Sequence, residues 1–434
     1  MPTGRRIAAA LALALGLCVL APSAGQAQPP AIGAKAAVLM DRLTGTVLFD
    51  KAMHERRPMA STTKIMTALV ALESADTSEY VTILDDAIKV ESPGLNFQPG
   101  ERVLLNDLLA ALLLKSSNAA AIAIADHVSG SVAAFAQRMN ERARDLGAAD
   151  TNFVNPHGLA APGHYSSAYD LALITREAMK LPRFRELVAE KVAEIARPDA
   201  GLVETIQNHN KLLWRADYVD GVKTGYVRES GHCLVASGSR DNWQLIAVAL
   251  DSPDTYGETL QLLEYGFASY QQKVLAREGD AVGRARVRWG REGSVPAICR
   301  DTLAQVVGPG LPASGRLQVA TEVVKAPVAH GEIVGAAQLV VDGKATASSP
   351  LLAAAGVPLS RLVVAGAWAL RIGAVFLLAA VGIRTSAKLV KARRRRRSRL
   401  PPESGPADPG GASAGRRPDG DGSGPPGGPG DGAG

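Results

Sequence analysis

An apolar run lies near each end of this chain, and the pair decides which residues are left to fold in water. Near the N-terminus, Arg5 and Arg6 precede an uncharged stretch from Ile7 to Ala21, and Gly25-Gln26-Ala27 then offers a cleavage site. Basic, apolar and small-residue segments in that order predict a secretory signal over residues 1–27 and export of the rest. Near the other end, Leu362 to Ile383 supplies 22 residues, enough to cross a hydrocarbon core. Arg371 opposes insertion by roughly 2.5–3.5 kcal/mol, while eleven Leu, Ile, Val and Phe side chains return about 3–7 kcal/mol. Arg384, Lys388, Lys391, Arg393 to Arg397 and Arg399 follow, the pattern of a transmembrane helix over 362–383 whose C-terminal side faces the cytoplasm. A helix lying flat on the surface is the rival. Arg361 and Arg371 would stand about 280° apart around it and would not line one polar face. Residues 384–434 are expected as a basic, then Gly/Pro-rich, disordered cytoplasmic tail.

Charge excludes one class of function. The chain carries 48 Lys and Arg against 42 Asp and Glu, yet residues 28–361 hold 34 against 37. The positive excess sits at the ends. The body therefore lacks the basic balance of a nucleic-acid binder, and the arginine run beside the apolar segment suits anionic lipid. Cleavage would leave only Cys233 and Cys299, which read as two buried free thiols rather than a disulfide framework.

Between the ends, Ala36–Met40 and Thr46–Asp50 read as a hairpin around Asp41 to Gly45. Ile65, Met66, Leu69, Val70 and Leu72 share one face of a helix starting near Ser61. Asn106 can cap a second helix, which stops near Lys115-Ser116-Ser117-Asn118. Buried Ala119–Val128, amphipathic Ser131–Leu146 and a helix from Ser167 to Met179 follow. Val222–Tyr226, Cys233–Ser237 and Leu245–Leu250 read as strands, and Thr259–Tyr270 as a helix. The order predicts an α/β domain over 28–272, an antiparallel sheet covered by a helical cluster. Residues 273–357 show short strands and turns only, including an Asp342-Gly343 hairpin turn, and predict a small all-β domain.

Three short segments carry chemistry. In Ser61-Thr62-Thr63-Lys64, positions i and i+3 of a helix bring a hydroxyl beside an amine. An alcohol needs an adjacent base, and a lysine serves if desolvation or a nearby cation keeps it uncharged. Ser116-Ser117-Asn118 falls at a break between helices, where a loop can present a hydroxyl and a carboxamide. Lys223-Thr224-Gly225 sits in a strand, where glycine admits a ligand close to the backbone. Each alone has an ordinary reading: a helix cap, helix-end residues, a solvated strand end.

Together and in this order they match the S-x-x-K, S-x-N and K-T-G set of penicillin-binding proteins and serine β-lactamases. Asn155-Pro156-His157-Gly158-Leu159, Asn208-His209-Asn210-Lys211-Leu212-Leu213 and Val219 to Tyr226 narrow the likeness. Residues 30–357 resemble the low-molecular-weight D-alanyl-D-alanine carboxypeptidases, fold and β domain included. The resemblance implies a peptidoglycan stem peptide ending in D-Ala-D-Ala as substrate and β-lactam antibiotics as ligands; no cofactor is expected, and His54, His164 and His232 are too scattered for a metal site. The resemblance also implies catalytic roles for Ser61 as nucleophile, Lys64 as base and Ser116 as proton relay. Asn118, Lys223, Thr224, Gly225 and Tyr226 would bind substrate, Tyr226 through its backbone N–H in the oxyanion site. The catalytic domain would stand outside a single-pass membrane anchor, held to lipid by the C-terminal segment. One departure stands out: Asp254-Thr255-Tyr256-Gly257 occupies the region where relatives often carry an arginine for the substrate carboxylate. His157 reads as a structural loop histidine, since Lys64 already supplies a base. The rival functions are a serine β-lactamase, in which Glu204 and Asn208 would imitate the deacylating pair, and a non-catalytic wall-binding protein.

Overall fold

The computed structural model describes residues 28–91 and 95–397; the signal expected over 1–27 and the Gly/Pro-rich end of the tail lie outside them. Ala36–Asp41 (β1) and Val47–Lys51 (β2) form the expected hairpin. Val219–Val227 (β3), Gly231–Arg240 (β4) and Trp243–Leu250 (β5) complete an antiparallel sheet in the order β2-β1-β5-β4-β3. All six residues of β1 are buried, which is why its first five, Ala36 to Met40, form a continuous apolar run and not an alternation. Val38 and Met40 face one core with the helical cluster, whereas Ala37 and Leu39 face another with Leu262 and Leu263 of the Thr255–Ser269 helix. β3 forms the sheet edge.

The helix Lys64–Ser74 is buried from Lys64 to Ala71, so it runs through the centre of the cluster. A 3-10 turn, Ala60–Thr63, precedes it where the spacing predicts helix from Ser61. Leu105–Leu113 starts one residue before Asn106. The expected cap is therefore inside the first turn, and its Oδ1 accepts from Arg183 Nε at 2.7 Å. Ser117 caps Asn118–Ser129 by accepting from Ala120 N, and Ser167 caps Ala168–Ala178 by accepting from Asp170 N. Among the elements with no counterpart in the sequence reading are a helix and a hairpin. Pro182, expected to lie beyond a helix end, opens the helix Pro182–Ala189, where its missing N–H costs nothing. Val192–Arg197 and Leu202–Gln207 form a separate hairpin.

Gln271–Ala276 pairs with Leu303–Val307, and Val306 joins the core behind β1. A six-stranded sheet follows, with strands Arg316–Thr321, Ile333–Val341, Lys344–Ala353, Ser294–Cys299, Ala281–Arg288 and Val323–Lys325 in that spatial order. Its last pair is parallel. Asp342 and Gly343 both take positive φ in the tight turn, as Asp-Gly predicts. Cys233 and Cys299 are free and buried.

Arg361–Arg397 is a single helix, long and apolar enough in its first part to cross a membrane. It continues 14 residues past Ile383, where the sequence reading begins a disordered tail. The extension has a physical reason: Arg384 to Arg397 contains neither Gly nor Pro and is rich in good helix formers.

Candidate active site

The turn that carries Ser61 is built under strain. Ala60 takes φ +48°, and the hydroxyls of Thr62 and Thr63 fold back onto Met59 O at 2.6 Å and Ala60 O at 2.8 Å. These bonds hold Ser61 half-exposed on a sharp bend ahead of the buried helix. Ser116, buried in the link between two helices, takes φ +64°. Among the described residues only eight non-glycine positions have positive φ; Ala60 precedes the first motif and Ser116 opens the second.

Lys64 is fully buried, and its Nζ lies 3.0 Å from Ser61 Oγ, 2.7 Å from Asn118 Oδ1 and 2.6 Å from the His157 carbonyl oxygen. Both carbonyl oxygens can only accept. A neutral amine gives them its two N–H bonds and keeps its lone pair for Ser61 Oγ. Burial first, and then the positive charge of Lys223, push the Lys64 amine well below its ordinary range. The geometry accommodates a neutral amine, and the electrostatics favour one able to take the Ser61 proton. Asn118 is oriented in turn by its Nδ2, which donates to Glu91 O at 2.7 Å.

The third motif arrives on the edge strand. Lys223 is buried on β3, donates to Thr224 O at 2.9 Å, and is lowered by desolvation to about 7. A Cβ on Gly225 would stand 3.0 Å from Ser61 N and 3.1 Å from Ala60 Cβ, so glycine lets the strand pass the Ser61 turn without pressing on it. Tyr226 follows, 60% exposed, its ring 4.5 Å from that of His232. Thus Ser61, Lys64 and Asn118 are joined by direct bonds, Gly225 lies against Ser61, and the Lys223 charge is felt at Lys64. Thr224 is half-buried on the same strand.

Sequence reasoning did not foresee the supporting loop. Asn155 Oδ1 accepts from His157 N and Gly158 N, and Thr67 Oγ1 donates to Pro156 O. Gly158, at φ +91°, passes so close to Ala60 O that a Cβ would collide with it. His157 contributes its carbonyl oxygen. Its ring accepts from Leu159 N and is pushed by burial to about 3. His164 accepts from Val154 N through Nδ1, while its Nε2 meets Thr63 Oγ1 at 2.9 Å and braces the Ser61 turn. Burial and Lys64 lower it to about 4. The signal was in the Asn-Pro-His-Gly stretch, but a backbone carbonyl is invisible to a search over side chains.

The start of the last helix, where no arginine stands, is arranged as follows. Asp254 caps the last helix by accepting from Gly257 N, and Tyr256 Oη donates to His209 O at 3.1 Å. The Arg215 guanidinium stacks 5.0 Å above the Tyr256 ring. A cation therefore stands beside the start of that helix, delivered by the Leu212–Arg215 turn. Glu204 is ion-paired to Arg197 at 2.8 Å, and Asn208 donates to Glu190 O, so neither is poised to activate a water.

Comparison with known proteins gives concordant findings. The peptidase S11 family, D-alanyl-D-alanine carboxypeptidases, matches residues 23–254, and the C-terminal domain family of penicillin-binding protein 5 matches 270–358. The chain is 31% identical over 371 residues to D-alanyl-D-alanine carboxypeptidase DacF of Bacillus subtilis, covering 80% of this chain and 94% of that relative. It is 30% identical over 383 residues to DacA of Escherichia coli, covering 81% and 93%. The solved structure of penicillin binding protein 5 from Haemophilus influenzae superimposes with a TM-score of 0.60 at 30% identity, over 76% of this chain and 99% of that one.

Proposed function

The chain belongs to the D-alanyl-D-alanine carboxypeptidase family of penicillin-binding serine hydrolases, and from that premise we propose the residues and steps by which it trims peptidoglycan stem peptides. The reaction is removal of the terminal D-alanine during cell wall biosynthesis and remodelling. Ser61 attacks the carbonyl between the two D-alanines while Lys64 takes its proton. The oxyanion lies between the backbone N–H groups of Ser61 and Tyr226. Ser116, helped by Lys223, passes a proton to the departing D-alanine amine, and the acyl-enzyme forms on Ser61. Asn118 holds the peptide amide; Thr224 and Lys223 hold the terminal carboxylate. Water then releases the shortened peptide. The same Ser61 is acylated by β-lactams.

The observation that carries this reading is the fully buried Lys64 amine, held by two acceptors and 3.0 Å from Ser61 Oγ. The carboxylate of an arriving peptide favours the charged form of Lys223, which in turn keeps Lys64 neutral. Commitment of Glu204 to Arg197 speaks against a β-lactamase, and the assembled nucleophile and base speak against a purely wall-binding role. We further propose a catalytic domain over 28–272 and a β domain over 273–357. The helix starting at Arg361 serves as a single-pass anchor over 362–383, with the catalytic domain outside the cell membrane and the basic tail in the cytoplasm. Incubating the protein with diacetyl-Lys-D-Ala-D-Ala tests the activity. Free D-alanine should accumulate with the native chain and stay at background with Ser61→Ala; equal release by both would refute the assignment.

A further inference from the structure

The β-rich part of the molecule carries a basic face at its exit point. On Ala281–Arg288, Ala285 and Val287 are buried, while Arg284, Arg286 and Arg288 are exposed on the opposite face. The parallel edge strand sets Val323 beside Arg286 and Lys325 beside Arg288. Both Val323 and Lys325 are exposed. Trp289 comes next, 54% exposed, with Lys325 Nζ 5.4 Å from its ring centre. Among the described residues none of Arg286, Arg288 and Lys325 is in an ion pair, although Glu292 and Glu322 lie nearby in sequence.

This face is tied to the point where the chain leaves. Ser360 N donates to Trp289 O at 2.7 Å, Arg291 N donates to Pro358 O at 2.8 Å, and Gly290 bridges Leu359. Leu362, the first apolar residue of the anchor, is two residues past Ser360, at most about 7 Å of chain. Headgroup layers are roughly 5–7 Å thick on each side of the hydrocarbon. A chain that enters the hydrocarbon at Leu362 therefore cannot hold the Trp289 backbone far from the headgroups. Tryptophan is enriched at that depth, and exposed Arg and Lys meet anionic headgroups there.

We propose that this face, Arg284, Arg286, Arg288, Lys325 and Trp289, docks on the anionic phospholipid surface of the outer leaflet; the proposal rests on the reading of 362–383 as a membrane anchor. Docking gives the β-rich part a second attachment and limits its tilting about the single tether. The occupant is lipid and not wall polymer because covalent continuity delivers lipid to this face at high effective concentration.

Spin labels on the full chain in nanodiscs test it. Val323→Cys reports the face, Val203→Cys is an exposed control on the Leu202–Gln207 strand, and Val375→Cys reports the anchor. Discs of phosphatidylcholine alone are compared with discs containing phosphatidylglycerol. In anionic discs the 323 label should lose contact with a water-soluble relaxing agent while the 203 label keeps it. Arg286→Glu with Arg288→Glu should restore water contact, each lost basic charge lowering the docked population roughly fivefold. A lipid-buried 375 label with a water-exposed 323 label in both discs would overturn the docking alone. Equal docking in phosphatidylcholine would overturn its dependence on anionic lipid. A water-exposed 375 label would remove the anchor, and the docking with it.

Discussion

Lys64 Nζ stands 3.0 Å from Ser61 Oγ because one turn of helix separates them and because Asn118 Oδ1 and His157 O occupy the other two directions of the amine. In the proposed mechanism the pair works as nucleophile and base only while the amine stays neutral. Its surroundings make that testable.

Asn118→Asp is nearly isosteric but places a carboxylate against Nζ. A negative partner favours the ammonium, so the pH at which Lys64 becomes neutral rises. Acylation by benzylpenicillin should fall at neutral pH and recover as pH increases. Stopped-flow acylation between pH 6 and 10 checks this; a uniform loss at every pH would mean that Asn118 only shapes the pocket.

The two lysines are coupled, with a definite sign. Lys223 is lowered to about 7 and its charge depresses Lys64. In the native chain, kcat/KM should climb as Lys64 loses its proton and decline above about 7 as Lys223 loses the charge that attracts the carboxylate. Lys223→Gln removes a positive neighbour from Lys64. Its rising limb should therefore move to higher pH, and its falling limb should disappear.

Gly225→Ala should fold and acylate poorly. Its Cβ would press on the Ser61 amide and Ala60, and the nucleophile turn must give by tenths of an ångström. A misplaced nucleophile costs on the order of tenfold or more in rate. Thermal unfolding and acylation measured together separate this from instability: a small shift in Tm with a large loss of rate is the expected outcome.

Arg215→Ala should raise KM for the D-Ala-D-Ala peptide by roughly tenfold, the scale of one charged hydrogen bond. Its kcat should change little, since the guanidinium stacks on Tyr256 at the start of the last helix and makes no contact with Ser61 or Lys64. A change confined to kcat would contradict that placement.

Acid should loosen the site from below. His157 and His164 are lowered to about 3 and about 4 in the folded chain, against 6.5 for the free side chain. The unfolded state then binds more protons between those values. Stability is therefore complete above about 6.5 and is lost as pH falls toward 3 to 4. Urea midpoints at pH 7 and pH 5 should differ less for His164→Gln than for the native chain.

Much of this was legible in the sequence because the signals were local. Ser61 and Lys64 are spaced for one helix face, β1 and β2 flank a Gly-containing loop, and Ser167 sits where a cap belongs. What escaped was carried by the backbone or by distance along the chain. The His157 carbonyl on Lys64, the His164 ring under Thr63 and the arrival of Arg215 at Tyr256 each join segments that no periodicity relates. The Val192–Gln207 hairpin escaped because its strands are largely exposed and lack the apolar alternation that marks a strand. The long C-terminal helix outran its apolar segment because arginines and lysines sustain a helix as readily as leucines do.

The central claim is that an uncharged Lys64 arms Ser61, and mapping the penicilloyl adduct tests it most directly. Native protein and Lys64→Arg, exposed to benzylpenicillin and digested, should differ sharply by mass spectrometry. The native chain should carry one adduct, on Ser61, and Lys64→Arg, whose guanidinium cannot lose its proton, should carry almost none. An adduct on another residue, or equal labelling of the two proteins, would contradict the account.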